Sequence, residues 1–324
     1  MADPQRIVVI VGPTAGGKSE LAVAIARASD GDGEIISADS MQVYRQLNAG
    51  TAKPTAEQRA AAPHHLIDCV DTTESWTVAD WLDHAERLIA DMHARGKLPI
   101  VVGGTNLYLK ALLEGMFEGP PADEAFRAAC ANTPAAELHH RLCAIDPEAA
   151  SRIDANDHKR LVRALEVHHL TGQPISQLQR QWSESRDKTY RHNPTMIGLE
   201  WGTPTINRRI NARVKSMFAP PDDSEDLIAE TQRLLDANLL GEQARQAIGT
   251  KQVLDHLAGR YTRDEVIERV KIDTRRFAKS QRTWLKRYRG VAWLNPEAMS
   301  WDLVVATAID QTCQPPHDAR DATR

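Results

Sequence analysis

The stretch IVVIVGPTAGGKS, residues 7–19, constrains this chain more than any other. Its first five residues, Ile7 to Val11, are all β-branched and read as a strand buried on both faces of a parallel sheet. Gly12, Pro13, Thr14, Ala15, Gly16, Gly17, Lys18 and Ser19 then fit the phosphate-loop pattern, and the Ala-rich run 20–28 reads as the helix that must follow. Glycines let backbone N–H groups turn inward around a polyphosphate at a helix N-terminus. Lys18 adds a point charge, and the Ser19 hydroxyl can hold Mg²⁺. A Gly-rich turn that binds nothing is the plainer reading, but it leaves the strand, loop and helix order unexplained. Loops of this kind, common among nucleotide- and ATP-binding proteins, grip phosphates and not adenine. The phosphate compound must be read from the rest of the chain.

Residues 34–38 read as a second short strand. Ligands of open α/β sheets sit beyond the carboxyl ends of the strands, which places Asp39 near the phosphate loop by topology alone. Asp39 reads equally well as a turn or helix-capping residue. Residues 65–68 read as a strand. Residues 78–94 read as a helix, with Trp81, Leu82, Ala85, Leu88, Ile89 and Met92 at i, i+3, i+4 spacing and Gly96 as its stop. Residues 98–102 form another buried strand, which ends at Gly103-Gly104-Thr105 without the Walker-B Asp of a classical ATPase. That counts against ATP hydrolysis.

Pro120-Pro121 marks a boundary. From 124 to about 181 the pattern is helical, broken at Pro134, Pro147 and Pro174, and 195–201 resumes a strand. The last third reads as helices over 205–218, 225–237, 242–257 and 263–289. The expected architecture is α/β: a parallel phosphate-loop sheet flanked by helices over 1–120 and 195–312, a helical insertion over 121–194, and a disordered tail over 313–324.

With 324 residues the chain can bury a full core. No apolar run approaches membrane-spanning length and no secretory segment follows Met1, so the chain reads as cytoplasmic. Four scattered cysteines without a CxxC pair argue for reduced thiols and against zinc. Histidines occur as adjacent pairs, His64-His65, His139-His140 and His168-His169, whose side chains point different ways. The net charge of −4 says little, but its distribution says more. Between Arg269 and Arg289 nine Lys/Arg stand against one acidic residue, a local charge of +8. Arg275, Lys279, Arg282, Lys286 and Arg289 repeat as one helical face, with Phe277, Trp284 and Tyr288 expected opposite, against the core. A single-sign face on a net-acidic chain is a footprint for a polyanion, most simply nucleic acid; the bland reading is a helix facing acidic partners in its own fold.

Several blocks now line up in order: GPTAGGKS, Asp39-Ser-Met-Gln-Val-Tyr-Arg45, Gly50-Thr-Ala-Lys-Pro54, Pro63-His-His-Leu-Ile-Asp68, Val102-Gly-Gly-Thr105, Asn156-Asp-His-Lys-Arg160 through Val167, Arg209-Ile210 with Arg213, and Thr274 to Arg282. This ordered set resembles the bacterial tRNA dimethylallyltransferases, also called tRNA isopentenyltransferases. Asn106, Thr250 and Ser280 depart from the family pattern.

The resemblance implies transfer of a dimethylallyl group from dimethylallyl diphosphate to N6 of the adenosine 3′ of the anticodon, with diphosphate as leaving group and Mg²⁺ as cofactor. It implies Asp39 as general base, the phosphate loop with Lys18, Arg213 and Ser19-bound Mg²⁺ on the diphosphate, and Asp39, Ser40, Met41, Gln42 and Thr105 around the flipped adenine. Arg127, Lys159, Arg160, Leu161, Val162 and Arg163 would hold the anticodon loop, with Lys251, Arg275, Lys279 and Arg282 as further tRNA contacts. The chain would act as a monomer with no membrane partner. A small-molecule kinase would share the sheet and loop but needs neither the basic helix nor the missing Walker-B position. An RNA-binding protein with a nucleotide switch would leave Asp39 and the GKS loop without a joint role.

Overall fold

The structure, a computed structural model, describes residues 6–29, 32–116, 119–183, 190–222 and 224–313. The expected tail lies outside these, apart from residue 313. The chain divides into two units, Met1–Leu113 with Tyr190–Arg324, and Glu114–Thr189.

In chain order the first unit opens with β1 (Val8–Val11), α1 (Lys18–Ala28), β2 (Gly33–Ala38), α2 (Ala56–Ala61), β3 (His64–His65), α3 (Val78–Ala94), β4 (Leu98–Gly103) and α4 (Asn106–Glu114). The second unit holds α5 (Glu124–Cys130), α6 (Ala135–Ile145), α7 (Pro147–Arg152), α8 (His158–Thr171) and α9 (Ile175–Ser183). The first then resumes with β5 (Thr195–Leu199), α10 (Thr203–Phe218), α11 (Leu227–Asp236), α12 (Thr250–Leu257), α13 (Arg263–Leu285), β6 (Val291–Leu294) and α14 (Trp301–Cys313). The six strands pair in parallel in the order β3-β2-β4-β1-β5-β6. Among the described residues no helix is long and apolar enough to cross a membrane.

The β-branched run explains itself in this sheet. Val8 and Ile10 pack with Leu21 and Ile25 of α1, while Ile7, Val9 and Val11 pack on the opposite face with Trp81, Ile89 and Met92 of α3. All five are fully buried, and each such side chain stabilises the fold by about 1.5–3 kcal/mol relative to exposure. Helix α3 begins at a capping box, in which Thr77 Oγ1 accepts the Asp80 N–H and Asp80 Oδ2 accepts the Thr77 N–H. The second unit has its own core of Leu138, Leu142, Leu161 and Val167.

Several expectations are corrected. The strand expected over 65–68 shrinks to His64–His65, because Leu66 and Asp68 take positive φ of 58° and 55° and turn the chain away. The helix expected over 242–257 is a 3₁₀ turn at Ala244–Gln246 followed by α12, with the break at Gly249 in the left-handed region at φ 105°. The helix expected to reach Arg289 stops at Leu285, and the following residues supply a sixth strand and α14. Sequence gave no warning of β6, which is four residues long with an exposed Trp293. On α13 the buried line is Val266, Val270, Thr274, Ala278, Gln281 and Leu285. Tyr288 beyond it is buried, but Phe277 and Trp284 fall off this line and stand exposed, contrary to their expected core role.

Candidate active site

The phosphate loop leaves β1, and the turn carrying Asp39 leaves β2. Strand β4 lies between them, so the two departures are separated by two inter-strand spacings, about 10 Å. The middle strand ends in Gly103-Gly104, which leaves that gap without side chains from its end.

Helix α1 starts at Lys18 with no capping side chain, so its first N–H groups are left for an anion. Gly17, at φ 93°, lies under the Trp301 ring, and a Cβ there would come within 2.8 Å of it. The Gly16 carbonyl accepts the Trp201 indole N–H at 3.0 Å. Arg209 spans the same corner, donating to Ala15 O at 2.7 Å and lying 4.6 Å over the Trp201 ring. Arg213, one turn later on α10, donates from Nη1 to Thr14 Oγ1 at 2.8 Å. Its Nε is buried without a hydrogen-bond partner, an open valence suited to a phosphate oxygen.

Lys18 donates from Nζ to Pro13 O at 2.9 Å. Burial pushes its pKa down to about 8; the Asp39 charge opposes the fall and the Arg213 charge adds to it. Burial likewise lowers Arg213, with Asp39 again opposing. Lys18, Arg213 and Asp39 therefore sit within one another's electrostatic reach. Asp39 uses Oδ1 to close its own turn, accepting Met41 N at 2.9 Å and Gln42 N at 3.3 Å. No hydrogen bond among the described residues engages its Oδ2. Thr105 Oγ1 accepts Ser40 N at 3.0 Å and ties the end of β4 to that turn.

Gln42, expected beside the adenine, is half-buried and bonded to neighbours in its own fold. Its Oε1 accepts from Ser37, and both Nε2 donors go to the carbonyls of Thr51 and Ala52. It builds the turn and has no donor left to read a base. The blocks at 50–54 and 63–68 do the same work from below, since Lys53 binds Tyr44 O, Asn48 Oδ1 and Asp68 Oδ1 together.

In the second unit, Arg127 and Arg163 both bond the fully buried Glu166, at 2.7 and 2.5 Å. Leu161 and Val162 lie in that unit's core, so they offer no side-chain surface to RNA. Lys159 and Arg160 are exposed at the start of α8. On α13, Arg275 donates to Asn211 and Arg282 to Thr203, both toward α10, while Lys279 is exposed. Lys251 is exposed on the first turn of α12. Lys286 and Arg289 fall past the helix end, which shortens the basic face.

Sequence reading placed Arg209 and Gln281 within matching blocks but gave them no role, and it gave none to Trp201 or Trp301. Arg209 had a usable signal, standing four residues before Arg213. The two tryptophans had none, and the block that contains Gln281 does not reveal which loops it touches.

For Mg²⁺ the first turn of α1 offers the half-buried Ser19 hydroxyl, next to the exposed Glu20 carboxylate. That suits an ion that takes one or two protein oxygens and completes its shell with phosphate and water. No cluster of three His, Cys, Asp or Glu side chains able to hold a metal occurs among the described residues.

The family model described as IPP transferase matches residues 42–288. A tRNA dimethylallyltransferase of Geobacter sulfurreducens is 44% identical over 294 residues, 89% of this chain and 91% of that protein. The crystal structure of a full-length tRNA isopentenylpyrophosphate transferase from Bacillus halodurans superposes with a TM-score of 0.70 at 38% identity, covering 95% of this chain and 96% of that one. A eukaryotic dimethylallyltransferase, described as acting on tRNA, superposes with a TM-score of 0.75 at 27% identity, covering 93% and 77%.

Proposed function

Because the chain belongs to the IPP transferase family, we propose that it transfers a dimethylallyl group from dimethylallyl diphosphate to N6 of the adenosine 3′-adjacent to the anticodon in tRNA. The observation that carries this reading is the grouping of Lys18, Arg213 and Asp39. Two cations there would suit a leaving diphosphate that gathers charge, and the carboxylate would suit an amine that must shed a proton.

The exocyclic amine is a weak nucleophile because its lone pair is delocalised into the ring. As N6 bonds to the allylic carbon, the C–O bond breaks and its electron pair leaves on the diphosphate oxygen. The N6 proton passes to Asp39. Phosphate-loop N–H groups, Lys18 and Arg213 stabilise the departing charge. Mg²⁺ held by Ser19 would neutralise more of it when bound. Reaching N6 requires the base to leave its stack, and Ser40, Met41 and Thr105 around Asp39 would receive it. Lys159, Arg160, Lys251, Arg275, Lys279 and Arg282 would contact the RNA backbone, while Arg127 and Arg163 support the surface through Glu166. The protein would act as a cytoplasmic monomer.

The test is incubation with unmodified tRNA, Mg²⁺ and labelled dimethylallyl diphosphate, with an ATP arm in parallel. Label reaching that adenosine without ATP is the expected result, and phosphate transfer from ATP in its place would refute the reading. Asp39→Asn is expected to bind the diphosphate normally and to lose roughly 10²–10⁴-fold in single-turnover transfer. An unchanged transfer rate would remove Asp39 as the base.

A further inference from the structure

Gln281 lies on the core face of α13, 1% exposed. Its Oε1 accepts the backbone N–H of Thr14 at 2.8 Å, and its Nε2 donates to the Gly104 carbonyl at 3.0 Å. One amide thus bridges two loops. A primary amide suits this because it carries an acceptor and a donor side by side; a carboxylate lacks the donor, and a thioether offers only a weak acceptor. The fit is close, since a Cβ at Gly104 would stand 2.1 Å from Nε2.

The two loops have different tasks. Thr14 belongs to the phosphate loop, and its hydroxyl also accepts from Arg213. Gly104 precedes Thr105, whose hydroxyl holds Ser40 N, one residue past Asp39. The strand ladder joins β1 to β4 only as far as Ile10 and Val102. Beyond the strands, Gln281 makes the link from the phosphate loop to Gly104, and it does so from the helix that carries the basic face. Ordering either loop restrains the other through two hydrogen bonds in a buried setting.

Building on the transferase reading, we propose that Gln281 is a positioning residue that couples the diphosphate site to the base-receiving turn, so that each ligand binds more tightly when the other is present. Such coupling is reciprocal between the two sites.

The test uses the full chain, an unmodified anticodon stem-loop RNA and inorganic diphosphate with Mg²⁺, so that no turnover intervenes. The RNA Kd is measured with and without saturating diphosphate. In the wild type the RNA should bind at least about fivefold more tightly with diphosphate present. In Gln281→Met that factor should fall to about one, while RNA alone and diphosphate alone bind within roughly threefold of wild type. Gln281→Leu also removes both the acceptor for Thr14 and the donor to Gly104 without adding charge, so it should retain diphosphate binding and lose the coupling; it carries the test if Gln281→Met does not fold. Coupling absent from the wild type, or preserved in either folded variant, overturns the proposal. Prenyl transfer is scored separately: coupling without transfer would overturn the transferase reading and leave Gln281 its role, and transfer without coupling would do the reverse.

Discussion

Lys18 loses its proton near pH 8 because burial, aided by Arg213, outweighs the pull of Asp39. A bound diphosphate reverses that balance by adding negative charge, so the complex keeps a proton that the free protein sheds. Affinity for dimethylallyl diphosphate is therefore expected to decline between about pH 7.5 and 9.5, and a Lys18→Arg variant should bind with little pH dependence over that range. Titration calorimetry across this window checks it, and parallel profiles for the two proteins would remove Lys18 as the cause. The same shift acts on stability with the opposite sense. The folded value lies below the ordinary 10.5, so the unfolded chain binds more protons between the two values and this group's contribution to stability rises with pH. Motif and strand order put Lys18 and Asp39 near each other in the sequence reading, whereas Arg213 entered only through the family resemblance. Gln42, Arg127, Arg163, Leu161 and Val162 are RNA contacts by family resemblance, which gives identity and spacing, while the burial of Leu161 and Val162 and the protein partners of the other three come from the packing around them.

Helix α8 shows what this means for an element. Its Glu166 accepts from Arg127, Arg163 and the Asp123 N–H, and these partners hold its carboxyl below the usual value despite the opposing effect of burial. Glu166→Ala should destabilise the protein by about 2 kcal/mol, a figure reduced because both arginines are partly exposed. A urea melt of the full chain reads this, and an unmoved midpoint would contradict it. Glu34 on β2 is held low in the same way, chiefly by Arg95 and also by His65. Since the folded values of Glu34 and Glu166 lie below the unfolded ones, the stability they provide is complete above the unfolded value of 4.5 and is lost as pH falls through the lower folded values. Helix α13 was found from sequence in type and start, but not in its end or its outward aromatics. Continued Lys/Arg spacing does not reveal that the helix ends at Leu285 with Lys286 as its cap, ahead of the short β6.

Across the whole molecule, a chain of net charge −4 carries its positive charge in patches, with +8 between Arg269 and Arg289. Binding of an anticodon stem-loop should weaken linearly in log K against log salt, and Lys279→Ala should make that slope shallower by roughly 0.7–0.9 without changing diphosphate affinity. A slope identical to wild type would take Lys279 out of the interface. By itself the sequence determined the first βα unit, the phosphate loop, the direction of the sheet and the presence of a basic helix, because each rests on local periodicity or on a loop whose backbone demands specific residues. Only the tertiary structure decided that β4 separates Asp39 from the phosphate loop, that β6 extends the sheet beyond β5, that Gln42 and Arg163 spend their polar atoms on neighbours in their own fold, and that Gln281 bridges the two loops. The Gln281 contacts join residues 267 and 177 positions apart in the chain. Local sequence does not encode a partner that only packing brings within 3 Å.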